Sequence, residues 1–126
     1  MTKRVLIVDD SPAIRRMVKR VIEMTGLPFE EFVEASDGME ALAAWRAMAP
    51  ELILTDINMP GMNGEELLAE LRREECGAKV LVISTDSTRE RKERMRELGA
   101  AGYLPKPFSP EKLRDELERI LEVEHV

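Results

Sequence analysis

The chain has 126 residues, of which 44% are hydrophobic and 35% charged, and its formal net charge at pH 7 is −6. This length suits one ordinary domain, predicted to span residues 1–126, and leaves no room for a second folded domain. The acidic balance argues against a general binder of nucleic acid, and no apolar run approaches the roughly 20 residues that span a bilayer.

The first predicted strand, residues 4–8, is an apolar run without alternation, which is typical of a strand covered on both faces. Asp9 and Asp10 follow it directly. Ser11-Pro12 then supplies a helix cap and a proline at the first helical position. Apolar residues at helical spacing predict a helix of about four turns that ends at Gly26. They are Ile14, Met17, Val18, Val21 and Ile22.

The second unit begins with a more polar strand, residues 31–35, which is expected at an edge of the sheet. Asp37 and Glu40 have the spacing of a capping box and open a second helix. The apolar side of this helix holds Ala41, Leu42 and Trp45. Trp45 is predicted to be a packing residue and not a platform for a ligand.

The third strand, residues 52–56, ends in the carboxylate of Asp56, and Pro60-Gly61 follows in a short loop. Asn63 and Glu66 again have capping-box spacing, so a third helix starts there. Its inner face is predicted to be Leu67, Leu68 and Leu71.

The fourth strand, residues 79–85, ends in Ser84 and Thr85. Ser87 and Glu90 are predicted to cap a fourth helix whose apolar positions are essentially Met95 and Leu98. This helix should therefore be the least firmly packed. Gly99 ends it, and a fifth strand, 102–104, leads to Lys106-Pro107-Phe108 and to a last helix opened by Ser109-Pro110. The inner face of that helix is Leu113, Leu117, Ile120 and Leu121.

Strands that alternate with helices predict a doubly wound α/β fold, with a five-stranded parallel sheet flanked by five helices. The carboxyl ends of parallel strands lie along one edge of the sheet, which is where ligands bind in such folds. The side chains expected at this edge are Asp9, Asp10, Asp56, Ser84, Thr85 and Lys106.

Carboxylates gathered at one edge repel each other unless a cation lies between them, and Mg²⁺ is the ion that prefers such oxygen ligands. Lys106 is a point charge suited to phosphate, and the Ser84 hydroxyl can donate to a phosphoryl oxygen. These groups suit phosphoryl transfer to an aspartate. The alternative is that Asp9 or Asp10 only favours the helix start, an effect of about 0.3–1 kcal/mol. Ser11 already fits that cap.

With these motifs in family order and at family-like spacing, the chain resembles the receiver domain of two-component response regulators, in its stand-alone, CheY-like form. That resemblance implies the flavodoxin-like strand order 2-1-3-4-5. The motifs that carry it are Val8-Asp9-Asp10-Ser11, Asp37-Gly38, Asp56-Ile57-Asn58-Met59-Pro60, Ser84 and Lys106-Pro107.

The resemblance implies that Asp56 accepts phosphate from a histidine kinase, with Mg²⁺ as cofactor. The implied metal ligands are Asp9, Asp10, Asp56 and the backbone carbonyl of Asn58. It further implies that Ser84 and Lys106 contact phosphoryl oxygens, that Tyr103 is the aromatic switch residue and that the Lys106-Pro107 bond is cis.

Three variable positions are expected to set how long the phosphate persists: Asn58, Asp86 and Thr85. Relatives commonly carry a small residue at the position of Thr85, so its β-branched side chain is expected to crowd the phosphoryl group or the inward pose of Tyr103. The direction of the effect of Asp86 stays open.

Phosphorylation is expected to change the surface formed by the fourth helix, fifth strand and fifth helix, which would control a downstream protein partner. Arg89, Lys92 and Arg96 form a basic stripe there at positions i, i+3 and i+7. The stripe is either a docking edge for an acidic partner or a solvated face. A kinase contact is predicted on the first helix, with a solvated face as the alternative; its residues are Arg15, Arg16, Lys19 and Arg20.

Two other classes remain as alternatives. An aspartyl-phosphate phosphatase of the haloacid dehalogenase kind uses similar groups, but its nucleophile lies in an Asp-x-Asp motif on the first strand. A receiver-like binding module without phosphorylation would not need Asp9, Asp10, Asp56, Ser84 and Lys106 together. The chain is expected to be no enzyme beyond catalysing its own phosphorylation and dephosphorylation.

Cys76 is the only cysteine, which excludes an intramolecular disulfide, and the sole histidine, His125, lies in the tail. A catalytic thiol is therefore not expected. The start of the chain leads directly into a strand and carries no secretory signal, so a cytoplasmic protein is predicted. We expect a monomer or weak dimer with no membrane contact, and the acidic residues 122–124 suggest a natural end.

Overall fold

Five parallel strands in the order β2-β1-β3-β4-β5 form the central sheet of the computed structural model, which describes residues 3–121. Five helices alternate with the strands, and the predicted fold and strand order are confirmed. The strands are β1 (Lys3–Val8), β2 (Phe29–Ala35), β3 (Leu52–Asp56), β4 (Lys79–Ser84) and β5 (Gly102–Pro105). The helices are α1 (Pro12–Met24), α2 (Gly38–Met48), α3 (Gly64–Arg73), α4 (Arg89–Glu97) and α5 (Pro110–Ile120).

The central strands are buried on both faces, as their uninterrupted apolar sequences predict. Every residue of β3 is buried, whereas β2, at the edge of the sheet, is half-buried or exposed at every position except Ala35. Alternate residues of β1 enter different cores: Val5 and Ile7 face one, and Leu6 and Val8 face the other. The sheet thus separates two apolar layers, one under α1 and α5 and one under α2, α3 and α4.

The register of the strands places the polar residues at their carboxyl ends side by side along one edge of the sheet. Val8 pairs with Thr55 between β1 and β3, so Asp9 and Asp56 occupy matching positions just beyond that pair. Ser84 pairs with Pro105 between β4 and β5, so Lys106 emerges beside the end of β4. The one-edge placement predicted for these groups follows from this register.

Most helix starts form as predicted. Ser11 and Ser109 accept hydrogen bonds as caps of α1 and α5, and Asn63 with Glu66 makes a complete capping box. The predicted capping box of Asp37 and Glu40 is only half formed: Asp37 accepts a hydrogen bond from the backbone amide of Glu40 at 2.8 Å. The carboxylate of that partner, Glu40, instead accepts a hydrogen bond from the Ser36 hydroxyl.

The predicted cap of α4 is wrong. Thr88, not Ser87, caps the helix by accepting from the Arg91 amide at 3.3 Å. Two residues before this cap, the Asp86 side chain accepts hydrogen bonds from both the amide and the hydroxyl of Thr88 and forms a turn there. This turn moves the helix start one residue beyond the Ser87-Glu90 pattern.

Other differences are small. The fourth strand ends at Ser84 and leaves Thr85 outside it, while the second strand begins at Phe29, two residues earlier than predicted. Trp45 packs half-buried against the apolar layer, as expected. Among α4 residues only Met95 is buried, and Leu98 is half-buried just past its end, which confirms the light packing of this helix.

None of the helices within residues 3–121 is long and apolar enough to cross a membrane. His125 and the acidic residues 122–124 lie outside the described residues.

Candidate functional site

Three carboxylates meet at the carboxyl edge of the sheet. Asp9, Asp10 and Asp56 each offer an oxygen atom, and these oxygens lie within 4.8 Å of one another. Asp9 is 4% exposed and Asp56 8% exposed, whereas Asp10 faces solvent. Two buried like charges this close are unfavourable without a cation. The arrangement predicted from the ends of the first and third strands is therefore present.

Lys106 supplies positive charge against this group. Its Nζ atom lies 3.1 Å from Oδ2 of Asp9 and 3.1 Å from Oδ2 of Asp56. Burial disfavours the charged amine, but the hydrogen bonds and charges of both carboxylates outweigh it, so the pKa of Lys106 lies above its ordinary value. The lysine is thus a fixed cation at neutral pH.

The backbone around Lys106 sets the direction of its side chain. Its amide donates to the Ser84 carbonyl at 2.7 Å, which extends the β4–β5 pairing by one residue. The following bond, Lys106-Pro107, is cis, in agreement with the resemblance described above. The lysine thus projects from the end of β5 towards the ends of β1 and β3.

The turn after β3 fixes the other oxygen of Asp56. Its Oδ1 atom accepts from the amides of Ile57 at 2.7 Å and Asn58 at 3.3 Å. One carboxylate oxygen therefore faces two backbone donors and the other faces Lys106. Asn58 itself is exposed at the rim of the site.

Gly64 is a site residue that the sequence analysis missed. Its amide donates to the Ile57 carbonyl at 2.8 Å, and a Cβ atom there would lie 2.3 Å from the carbonyl oxygen of Asp56. Only glycine allows the start of α3 to approach the Asp56 backbone this closely. The single sequence signal was its place directly after the Asn63 cap.

Asp9 is held by the start of α1. Its Oδ1 atom accepts from the Ser11 amide at 2.9 Å, and its backbone carbonyl accepts from Arg15. Ser11 still caps α1 through its hydroxyl. Asp9 thus supports the helix start with one oxygen and contacts Lys106 with the other, so the capping alternative describes only part of its environment.

Ser84 is fully buried at the end of β4, the strand beside β3. Its Oγ atom accepts from the Asp86 amide at 3.1 Å. Thr85 is exposed next to it. The hydroxyl predicted to contact phosphate is thus tied into the loop between β4 and α4.

Asp86 and Tyr103 belong to the same loop network. The Tyr103 hydroxyl donates to the Asp86 carbonyl. Burial raises the pKa of the Tyr103 phenol, so it remains a donor at neutral pH. Hydrogen bonds from the amide and hydroxyl of Thr88, together with Arg91, hold the pKa of the Asp86 carboxyl below its usual value. Asp86 is therefore a stable anion.

The predicted basic stripe on α4 divides into two parts. Arg89 pairs with Glu93 at 3.2 Å and is 89% exposed. Lys92 and Arg96 line a surface groove of about 310 Å³ between α4, β5 and α5, together with Tyr103. Within residues 3–121 neither of these two cations forms an ion pair. The groove, and not the whole stripe, carries unpaired positive charge.

The basic residues of α1 also differ from each other. Arg15 pairs with Glu34 of β2 at 2.9 Å, and the Lys19 ammonium lies 5.5 Å from the centre of the Phe32 ring. Arg16 and Arg20 remain exposed. Two of the four predicted kinase contacts therefore have a structural partner on β2.

A 2-1-3-4-5 parallel sheet whose edge gathers a carboxylate cluster and a lysine defines the CheY-like class of α/β signalling domains. The model of the family described as "Response regulator receiver domain" matches residues 5–118, so the chain belongs to this family. It is therefore a receiver domain of a two-component system, a signalling protein and not a classical enzyme. Family membership decides against the haloacid dehalogenase alternative.

Chemotaxis proteins are among its relatives. The chain is 33% identical to chemotaxis protein CheY of Thermotoga maritima over 95% of this chain and 98% of that protein. It is 36% identical to chemotaxis protein CheY-3 of Vibrio cholerae over 94% of this chain and 92% of that one. The solved structure of Vibrio cholerae chemotaxis protein CheY4 superposes with a TM-score of 0.84 at 36% identity, covering 95% of this chain and 99% of the other.

Proposed function

We propose that the chain accepts a phosphoryl group on the carboxylate of Asp56, with a histidine kinase as donor and Mg²⁺ as cofactor. The observation that carries this proposal is the position of Asp56. Its carboxylate lies 3.1 Å from the Lys106 ammonium and within 4.8 Å of oxygens from two further aspartates. A nucleophile, a fixed cation and acidic ligands are the parts that phosphoryl transfer to an aspartate needs.

The donor set fits Mg²⁺. Asp9, Asp10 and Asp56 offer only hard oxygen atoms, and the surplus of negative charge beside a single lysine favours a divalent cation. The exposed side of the cluster, at Asp10, leaves room for water ligands, which Mg²⁺ usually keeps. The backbone carbonyl of Asn58 is the proposed fourth protein ligand. Bound Mg²⁺ would neutralise charge on the phosphoryl oxygens.

In the transfer step, a carboxylate oxygen of Asp56 attacks phosphorus and forms a P–O bond. The P–N bond to the donor imidazole breaks, and its electron pair remains on nitrogen. Lys106 neutralises an oxygen of the arriving group, and the Ser84 hydroxyl donates to another. In self-catalysed dephosphorylation, water attacks phosphorus and the P–O bond to Asp56 breaks, which releases inorganic phosphate. We propose that three residues near Asp56 set the rate of this dephosphorylation: Asn58, Thr85 and Asp86.

Phosphorylation replaces one negative charge at Asp56 with about two and adds three acceptor oxygens. This would draw the buried hydroxyl of Ser84 towards the phosphoryl group and move the loop that Ser84 shares with Asp86. The Tyr103 hydroxyl is bonded to that loop, so Tyr103 would reorient and change the groove between α4, β5 and α5. We propose that a downstream protein reads this change.

We expect Asp10→Asn to weaken Mg²⁺ binding by about tenfold or more, which corresponds to ~1.4 kcal/mol. The variant removes one carboxylate from the cluster without disturbing the buried pair and Lys106. Titration calorimetry with MgCl₂ measures the change, and uptake of label from acetyl phosphate should become dependent on higher Mg²⁺ concentrations. Asp37→Asn is the matched control, because asparagine caps a helix as well as aspartate does. Equal Mg²⁺ affinity in the Asp10 variant and the wild type would remove Asp10 from the ligand set.

Charge reversal at two surfaces should separate the kinase contact from the output contact. The double variant Lys92→Glu, Arg96→Glu should retain less of the downstream protein when it is phosphorylated. The reason is that the groove loses its unpaired positive charge. The double variant Arg16→Glu, Arg20→Glu makes an equal charge change on α1 and should instead slow phosphotransfer from the donor kinase. That kinase is identified by profiling purified histidine kinases. Unchanged partner retention by the α4 variant would leave the basic groove a solvated face.

The extent 1–126 as one domain, the cytoplasmic location and the monomeric or weakly dimeric state remain predictions.

A further inference from the structure

Arg15 contacts the backbone between two of the three clustered carboxylates. Its Nη1 atom donates to the carbonyl oxygen of Asp9 at 2.5 Å. That oxygen belongs to the planar peptide bond that joins Asp9 to Asp10, so the hydrogen bond restrains the orientation of this plane. A rotation of the plane would change the ψ angle of Asp9 and the φ angle of Asp10 together. Arg15 therefore helps to set the directions of two side chains in the carboxylate cluster.

Glu34 of β2 holds the Arg15 side chain in place. Its Oε1 atom lies 2.9 Å from the Nε atom of Arg15, so the guanidinium bridges the edge strand and the residue that follows β1. The Arg15 side chain is only 16% exposed, and Asp9 is buried. A hydrogen bond from a charged donor is strong where little water competes for the acceptor. Arg15 thus acts inside the site as well as on the surface of α1.

The sheet restrains the preceding peptide bond of Asp9 but not the following one. The Asp9 amide donates to the Ala35 carbonyl at 3.1 Å, next to the paired residues of β1 and β2. Beyond Asp9 the chain leaves the sheet and enters α1 at Pro12. Asp10 lies in this connection and is exposed, so apolar packing does not fix it. The bond from Arg15 restrains this part of the cluster.

We propose that Arg15, held by Glu34, is a positioning residue for Mg²⁺: it orients the peptide plane between Asp9 and Asp10 so that both carboxylates can bind one ion. This rests on the proposed function, which assigns Mg²⁺ to the cluster. Groups that orient metal ligands typically contribute about ten- to hundredfold to metal affinity, and a backbone contact should lie near or below the lower end of that range.

The charge of Arg15 acts in the opposite direction to its positioning role. A positive group near the cluster repels a second cation, so loss of the charge alone would strengthen Mg²⁺ binding. Loss of the orientation would weaken it. The sign of the change therefore separates the two effects.

The test measures the Mg²⁺ affinity of Arg15→Gln in the full chain, from backbone amide signals in an NMR titration with MgCl₂. The Kd should rise about three- to tenfold. Lys112→Gln is the control, because it removes an exposed positive charge outside the cluster, and its Kd should stay within about twofold of the wild type. An unchanged or lower Kd in Arg15→Gln, or an equal rise in both variants, would overturn the proposal.

Arg15→Lys separates geometry from charge. Lysine keeps the positive charge, but one ammonium cannot occupy the Nη1 and Nε positions together. The Kd of this variant should therefore lie between those of the wild type and Arg15→Gln. A wild-type Kd in Arg15→Lys would show that the bridge from Glu34 to the Asp9 carbonyl is not needed, and would overturn the proposal.

A second readout requires neither metal nor phosphodonor. In the Mg²⁺-free chain, the order parameter S² of the Asp10 amide should fall in Arg15→Gln from the wild-type value towards about 0.6 or less, which is typical of flexible backbone. It should be unchanged in Lys112→Gln, and an equal S² in all three proteins would overturn the proposal. A wild-type chain that binds Mg²⁺ but takes up no label would contradict the proposed function, while Kd and S² would still decide the role of Arg15.

Discussion

Replacement of Asp56 by asparagine is expected to abolish stable phosphoryl labelling by acetyl phosphate in the presence of Mg²⁺. Asparagine has nearly the same shape, and its side-chain oxygen can still accept from the Ile57 and Asn58 amides that hold the carboxylate. It lacks the anionic nucleophile that forms the P–O bond, and it removes one charge from the proposed metal site. We therefore expect labelling to fall at least about 100-fold, a loss of ~2.7 kcal/mol or more in transition-state stabilisation.

Radiolabel bound per chain, measured at equal protein concentration, gives this result. Asp37→Asn serves as the control, since Asp37 caps α2 and is no part of the carboxylate cluster. A circular dichroism melt of the Asp56 variant checks that the fold is retained. Full labelling of Asp56→Asn would show that another residue is the acceptor.

Replacement of Lys106 by methionine is expected to destabilise the Mg²⁺-free protein by about 1–3 kcal/mol, because charged partners are left without their cation. The lysine side chain is 18% exposed and contacts the buried carboxylates of Asp9 and Asp56 at 3.1 Å each. Mg²⁺ should restore much of the loss, since it supplies positive charge to the same oxygens. Urea unfolding at pH 7 with and without MgCl₂ measures both effects.

The pH dependence of this loss has a defined sign. The pKa of Lys106 is raised in the folded chain, so its stabilising contribution is fully present below the ordinary lysine pKa of about 10.4. The contribution is lost as the pH rises through the higher folded value. The difference in unfolding free energy between the wild type and Lys106→Met should therefore be constant from about pH 7 to 9 and shrink above about pH 10.4.

Lys112→Met on the exposed face of α5 provides the control, with an expected change of less than about 0.5 kcal/mol. A Lys106 variant as stable as this control, with no added response to Mg²⁺, would mean that the lysine contributes little to balancing the two carboxylates.

The sheet could be predicted because its strands are short apolar runs that end in polar residues. The meeting of Asp56 and Lys106, fifty positions apart, follows from one rule: the carboxyl ends of parallel strands share an edge. The strand order came from family resemblance, since apolar runs alone do not specify which strands are neighbours. The start of β2 at Phe29 was missed because Phe29 and Glu30 alone carry no clear strand pattern.

The features that sequence reasoning missed depend on how elements approach each other. The Arg89, Lys92 and Arg96 spacing drew attention to one face of α4, while Arg91 and Arg94 meet Glu65 on another. With Met95 as the single buried anchor, the sequence does not specify which charged face meets α3. Gly64 was missed for the same reason, because its close approach to Asp56 depends on the path of residues 57–63.

The acceptor can be located directly by reducing the phosphorylated chain with borohydride, which converts an aspartyl phosphate to homoserine, and by sequencing the peptides with mass spectrometry. Homoserine is expected at position 56, only in chains treated with phosphodonor and Mg²⁺. Homoserine at Asp9 or Asp10, or an unmodified residue 56 in chains that carry the label, would contradict it.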